Sequence, residues 1–276
     1  MWSEKPAELK IIIEPAFYQT IWFAFIIVLF SAAFIFLISY KIYLWRISSL
    51  KRREKLKDEF LSNISHELNT PITTILMNSE MLNDGDFSES EIPKSYEQIY
   101  TNSKYLAGMI QRMLLSAKID ADEITIDWVV LELNPLVQEI IQQVKNDFSS
   151  GLNIIYNPNH EIKLKTDKNL LKIILSELIK NSIIFNEAET KVTIAAGDIN
   201  GKISISVKDN GKGIPKESLQ KVREKFVRLD SSLTYKVSGT GLGLYIADQL
   251  VKKLGGNMQI SNPDDGGLMV NIILGS

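Results

Sequence analysis

From Pro15 to Tyr40 the chain carries no charged residue, and most positions are Ile, Phe, Leu, Val or Ala. Coiled as a helix at ~1.5 Å per residue, this run reaches roughly 39 Å, enough to cross a hydrocarbon core of ~30 Å with some tilt. Each charge inside it would cost ~2.5–3.5 kcal/mol on insertion scales, so its cleanness marks a membrane anchor. A buried core helix seldom needs so long an uncharged run. A cleaved signal peptide has a basic leader and a shorter apolar stretch, whereas residues 1–14 hold Glu4, Glu8 and Glu14 against Lys5 and Lys10. After the span come Lys41, Arg46, Lys51, Arg52, Arg53, Lys55 and Lys57, with Glu54 among them. The positive flank stays in the cytoplasm, which puts the N-terminus outside and everything after Tyr40 inside. Trp22, Tyr40, Tyr43 and Trp45 are placed to sit at the two interfaces.

The rest of the 276 residues suffice for two small domains. A net charge of −2 gives no reason to expect nucleic acid as a partner. The chain has no cysteine, hence no disulfide, no thiolate metal site and no Cys nucleophile. Its two histidines, His66 and His160, cannot form a His-rich metal site. His160 follows Asn157-Pro158-Asn159, a turn-forming run, and reads as a solvated loop residue.

Behind the basic stalk, Leu61, Ile64, Leu68, Ile72, Ile75, Ser79 and Leu82 recur at helical spacing until Asn83-Asp84-Gly85-Asp86 breaks the pattern. A second run, Tyr96, Ile99, Ser103, Leu106, Ile110, Met113 and Ala117, alternates threes and fours as a coiled-coil seam does. Two helices with an apolar stripe each cannot bury it alone, so two copies forming a four-helix bundle is the expected solution. His66 falls off the face of Ile64 and Leu68 and should point outward. Glu67 follows it directly, and Pro71 lies inside the pattern, unable to donate to the carbonyl of Glu67. Neutral imidazole is a good nucleophile toward phosphorus, and an adjacent carboxylate can orient it and take its proton.

From Ile124 onward strands and helices mix. Ile203–Val207 and Leu268–Ile272 alternate as half-buried strands; further strands are expected at Ile154–Tyr156, Ile162–Leu164 and Lys191–Ala195. Helices are expected over Asn134–Phe148, Lys168–Phe185 and Leu242–Leu254, which gives a two-layer α/β sandwich. Glu177 and Asn181 are four apart and share a helix face, and an amide or carboxylate oxygen is a hard ligand suited to Mg²⁺. Asp209-Asn210-Gly211-Lys212-Gly213 follows a strand, where a carboxylate can accept from an adenine amino group and glycines let backbone come close. Gly239-Thr240-Gly241-Leu242-Gly243-Leu244 opens a helix, whose free N–H groups suit phosphate. Between these boxes Lys212–Ser238 is long and polar with Phe226 as its main apolar anchor, as a nucleotide lid should be.

Taken in order, Phe60 to Pro71, Glu177 to Asn181, Asp209 to Gly213, Glu224 to Arg228 and Gly239 to Leu244 resemble the sensor histidine kinases of two-component signalling. The resemblance runs from about Arg46 to the C-terminus. It implies an α+β chain: an extracytoplasmic segment (1–14), one transmembrane helix (15–40), a basic juxtamembrane helix (41–57), a dimeric phosphoacceptor hairpin (58–119) and a catalytic domain (124–276) binding ATP and Mg²⁺. His66 is then the phosphoacceptor, Glu67 its base, and Thr70 the position that helps the reverse, phosphatase activity. Asn181 becomes the magnesium asparagine, Glu177 orders a metal-bound water, Phe185 stacks on the nucleotide and Arg228 reaches the γ-phosphate. Asp209, Gly211, Gly213, Phe226, Gly239, Thr240, Gly241, Leu242 and Gly243 complete the nucleotide site. The acceptor of the phosphoryl group is the receiver domain of a separate response regulator, and the location is a bacterial inner membrane, single-pass.

Two departures matter. Ile184 stands where the family usually has a lysine on phosphate, with Lys180 or Lys212 as the available substitutes. Leu9–Thr20 is similar to the join between a periplasmic β-rich sensor and its membrane helix, which implies a sensor lost or carried elsewhere. Two alternatives stay open beside the kinase: a degenerate signalling scaffold, and a net phosphatase of a response regulator.

Overall fold

The structure is a computed structural model that describes residues 21–148, 152–158, 160–186, 190–227 and 240–275. The molecule divides into two units, residues 1–55 and 56–276. Residues 1–20, with the sensor-like join, lie outside the described residues. Helix α1, Ile21–Asp84, begins in the first unit with a candidate membrane span, Ile21–Arg52, whose most apolar window has a mean hydropathy of 2.9. Among the described residues it is the one helix long and apolar enough to cross a membrane. Its apolar side chains there, Phe25 to Leu44, are exposed, as a lipid-facing surface must be.

In the second unit α1 continues through Pro71, which lies inside the helix as the apolar spacing implies. Gly85, at a φ of 76°, ends it, and α2 (Ile92–Asp120) returns. The hairpin is tied by the buried Ser95, whose hydroxyl donates to Asn78 Oδ1 at 2.7 Å. The inner stripes differ from the expected ones. On α2, Ser95, Asn102, Met109 and Ser116 turn inward with Ile99, Leu106 and Met113, while Tyr96, Ser103, Ile110 and Ala117 face out. On α1 the inner positions are Ile64, Leu68, Pro71, Ile75, Asn78 and Leu82; Ile72 and Ser79 are exposed. Four of the seven predicted seam positions on α2, and two of the seven on α1, are therefore displaced by one residue. The reason is that each helix carries two adjoining stripes at the same spacing, and periodicity alone does not say which one a single chain buries. The outer stripe of α2, Tyr96, Tyr100, Ile110 and Leu114, stays apolar and exposed.

The remainder is an α/β sandwich. Strands β1 (Val129–Glu132) and β3 (Lys163–Thr166) pair antiparallel. The main sheet has the order β2-β4-β5-β7-β6, built from Asn153–Tyr156, Lys191–Ile199, Lys202–Asp209, Met269–Gly275 and Asn257–Ser261. The β2–β4 pair is parallel and the other three are antiparallel. Helices α3 (Leu133–Asp147), α4 (Lys168–Ile184) and α5 (Gly243–Lys253) cover one face, and one core joins them to the sheet. Strand β5 turns Ile203, Ile205 and Val207 inward at period two. Asp209 continues that phase, so a carboxylate lies buried where the pattern calls for an aliphatic side chain.

Helix α4 is fixed at its start by Asp167, whose Oδ1 accepts from the N–H groups of Asn169 and Leu170, both at 2.9 Å. Its Oδ2 accepts from Asp127 N at 2.8 Å, tying the chain entering the domain to the same carboxylate. Removing a cap of this kind costs about 1–2 kcal/mol. Asp167→Ala should lower the unfolding free energy in urea by at least that much, and Asp167→Asn by less. Equal losses would mean the charge rather than the cap geometry matters.

Candidate functional site

The site forms where the first turn of α5 lies across the middle of α4. Gly243 makes this possible. A Cβ there would stand 2.8 Å from Glu177 Oε2 and 3.1–3.2 Å from the amide of Asn181, so only a bare α-carbon lets the helix start this close. Leu242, fully buried, anchors the turn in the core, and Thr240 is buried beside it. Gly241 takes a φ of 65° to bring the chain into the helix. Among the described residues no side chain caps α5, and its first turn holds no acid, which leaves the N–H groups of the helix start to a ligand.

Glu177 and Asn181 are both partly buried on one face of α4. Burial pushes the Glu177 carboxyl above its usual range, and the charges of Arg112 and then Lys180 pull the other way. Two hard oxygen donors beside a helix N-terminus fit a Mg²⁺ ion that keeps waters and shares phosphate oxygens. Among the described residues no three of His, Cys, Asp and Glu cluster into a closed metal cage, so an ion held here would depend on its nucleotide.

At the other end of the cleft, Asp209 Oδ1 accepts from Gly211 N at 2.8 Å and Leu268 N at 3.0 Å. Both bonds fall on one oxygen, which orients the carboxylate rigidly while Oδ2 takes no hydrogen bond among the described residues. The surrounding loop is close-packed. A Cβ on Gly211 would run into the Asn186 side chain, and one on Gly267 into the carbonyl of Asp209. Asn262 clasps Ile214 from both sides, accepting from its N–H at 3.1 Å and donating to its carbonyl at 2.5 Å. Gly213, at a φ of 68°, lies against that asparagine. Asn186, Asn262 and Gly267 were not singled out in the sequence; the turn-rich run Asn262 to Gly267 was the available signal.

Phe226, at a φ of 72°, packs partly buried against the core, with Lys225 Nζ 4.9 Å from its ring centroid. Two short 3₁₀ turns, Lys216–Ser218 and Lys221–Arg223, lead to it. Arg228 and Gly239 lie outside the described residues. Ile184, 37% exposed, and Phe185, 61% exposed, end α4 on the surface rather than in the core. Lys180 is committed elsewhere: its Nζ pairs with Asp147 at 3.1 Å, so it does not substitute for a phosphate lysine in this arrangement. His160 is exposed, as its turn implied.

On the hairpin, His66 is exposed and Glu67 partly buried one position on. The Thr70 hydroxyl donates back to the His66 carbonyl at 3.2 Å, taking up one of the carbonyls near Pro71. The structure thus separates the sequence-derived residues it describes into two groups: His66, Glu67 and Thr70 on α1, and Glu177, Asn181, Phe185, Asp209, Gly211, Gly213, Phe226, Thr240, Gly241, Leu242 and Gly243 in the α/β domain.

A family model described as histidine kinase-, DNA gyrase B- and HSP90-like ATPase matches residues 166–275. Another, the His Kinase A phospho-acceptor domain, matches residues 56–122. The chain belongs to the sensor histidine kinases. The sensor histidine kinase WalK of Bacillus subtilis (strain 168) is 26% identical over 236 residues, which is 84% of this chain and 38% of WalK. The chain thus spans about two fifths of the length of the curated relatives it matches. The solved histidine kinase AdeS of Acinetobacter baumannii has the same fold, with a TM-score of 0.58 and 19% identity over 76% of this chain and 97% of AdeS. So does histidine kinase ThkA, solved in complex with the response regulator protein TrrA, at a TM-score of 0.56 and 20% identity, covering 81% of this chain and 63% of that one.

The close approach at Gly243 is directly testable. A Cβ there meets the ends of two side chains rather than backbone, so Gly243→Ala should fold with little change in Tm while displacing Glu177 and Asn181. Magnesium-dependent binding of an ATP analogue, followed by calorimetry, should weaken by roughly ten-fold or more, the scale of one lost charge-assisted contact. Unchanged binding would show that α5 can retreat without cost to the site.

Proposed function

We propose that this chain is a membrane-anchored, ATP-dependent protein-histidine kinase that phosphorylates His66 and passes the phosphoryl group to an aspartate of a separate response regulator. The observation that carries the reading is the occurrence, on one chain, of an exposed histidine with an adjoining carboxylate and an uncapped helix start pressed against Glu177 and Asn181. The ThkA complex with its regulator supports the choice of partner class. The exposed stripe of Tyr96, Tyr100, Ile110 and Leu114 supports a second copy of this chain as the other half of a four-helix bundle. The apolar window of α1 supports a single crossing of the membrane, with the basic flank inside.

In this reading Asp209 Oδ2 accepts from the adenine amino group, while the backbone of Gly211 and Gly213 lines the ring. Phe185 and Phe226 supply apolar surface around the base and its lid. The N–H groups of Gly241 to Gly243 hold the phosphates, and Arg228 offsets charge on the γ-phosphate. Asn181, with Glu177 acting through a bound water, holds Mg²⁺, which neutralises charge on the phosphate oxygens when bound. His66 attacks the γ-phosphorus with a ring nitrogen; an N–P bond forms as the bond to the β–γ bridging oxygen breaks, and ADP leaves. Glu67 holds the other ring nitrogen and takes the proton released as the imidazole becomes phosphorylated. The phosphoramidate then passes its phosphoryl group to a carboxylate oxygen of the regulator, and His66 returns to its starting form. Thr70, one turn on, is the candidate for orienting a water in the reverse reaction.

His66→Gln should abolish acid-labile phosphate from γ-labelled ATP while leaving nucleotide affinity unchanged, because the residue belongs to the hairpin. Retained label would remove His66 from the mechanism. Ile184→Lys, at an exposed helix end, should be tolerated by the fold and should tighten ATP by about ten-fold, the scale of one new charge-assisted contact. Weaker binding by a folded variant would mean that the cleft is shaped around an apolar residue.

A further inference from the structure

Arg112 lies on the stretch of α2 that faces the nucleotide domain, between Met109 and Ser116, both buried. Its guanidinium reaches into the cleft itself. The Nη1 atom stands 3.9 Å from Glu177 Oε1, with the two side chains 25% and 15% exposed. The other oxygen of the same carboxylate is the one that borders the start of α5 at Gly243. One buried carboxylate therefore faces a cation on the hairpin with one oxygen and the expected metal position with the other.

Glu177 needs a positive partner, since an uncompensated charge at this depth is costly. Lys180, the other cation acting on it, is bonded to Asp147, which also takes Lys104 of α2 at 2.7 Å. That leaves Arg112 as the first of the positive charges to offset the burial of Glu177. Four contacts in all, beside that of Arg112, join α2 and the residues just after it to the nucleotide domain. Asp120 accepts from Lys225 and from the Tyr245 hydroxyl, Asp122 pairs with Lys253, and Lys104 pairs with Asp147. Asp122, Lys104 and Asp120 are exposed at these pairs, where ion pairs are weak and salt-screened. The Arg112–Glu177 contact is the shielded one, and it is a charge contact at 3.9 Å rather than a formed hydrogen bond, so a divalent cation can displace it.

We propose that Arg112 is a latch: its guanidinium and the metal of a bound metal–nucleotide compete for Glu177, so that loading the site releases this stretch of α2 from the nucleotide domain. The inference rests on the metal–nucleotide reading above and adds a residue to it. Because coupling is reciprocal, whatever the latch contributes to docking is lost from metal–nucleotide affinity. In the undocked state the domain that carries ATP is free to approach a histidine on the hairpin.

The test is calorimetric titration of the full chain in detergent with a non-hydrolysable ATP analogue, with Mg²⁺ and again with EDTA. Arg112→Gln should tighten magnesium-dependent binding by about five-fold or more, the lower end of typical coupling between sites. Its binding in EDTA should match that of the unsubstituted chain, because no metal then competes. Arg112→Lys retains the cation and should stay near the unsubstituted chain. Equal affinity of Arg112→Gln and the unsubstituted chain in magnesium overturns the latch. Weaker affinity also overturns it, assigning the guanidinium to the phosphates instead. If none of the three proteins binds the analogue, the nucleotide reading itself has failed, a result distinct from either.

Discussion

Everything functional in the nucleotide domain depends on how closely α5 can start against α4. Helix starts expose several N–H groups that a side chain normally caps. Here Gly243 removes the Cβ, Leu242 anchors the turn in the core, and no side chain among the described residues caps it, so the dipole end and its N–H groups are held beside Glu177 and Asn181. Asp167 fixes α4 from its other end, and the sheet beneath sets the height of both helices. The arrangement places the Glu177 carboxylate and the Asn181 amide beside the positive end of a helix. A metal–phosphate pair has the complementary charges.

The hairpin follows a different rule. Its helices each carry two apolar stripes, and a single chain buries only one. Ser95 and Asn78 supply a polar tie in the inner stripe, and small Ser116 allows close approach near the nucleotide domain. Leaving Ile110 and Leu114 of α2 outside costs nothing if another copy covers them, and His66 stays exposed on α1. Charge contacts such as Asp120 with Lys225 hold hairpin and nucleotide domain together weakly enough to exchange.

Sequence reasoning reached some of this and missed the rest for identifiable reasons. The strand at Ile203–Val207, the helix carrying Glu177 and Asn181, and the break at Gly85 were legible because period and turn residues are local properties. Asp209 stood out for its place at a strand end, and its burial follows from the same period-two phase. The inner seam was partly displaced, since Met109 and Ile110 are both apolar and only tertiary contact chooses between them. Strands β1 and β6 were not foreseen: Val129–Glu132 is mostly exposed, and Asn257–Ser261 is short and half polar. Arg112 left no local trace, because its partner is far along the chain. Lys180 was offered as a phosphate ligand from proximity in sequence, and Asp147 at the end of α3 takes it instead.

The account holds that the phosphoryl group ends on the exposed imidazole of α1 and on no hydroxyl near it. The most direct measurement is tandem mass spectrometry of the full chain after incubation with Mg²⁺ and ATP, with digestion kept at alkaline pH to preserve a phosphoramidate. The account predicts one phosphorylated site, His66, with loss of the group on brief acid treatment. Acid-stable phosphate on Ser62, Ser65 or Thr70, or an unmodified His66 in a chain that binds ATP, would contradict it.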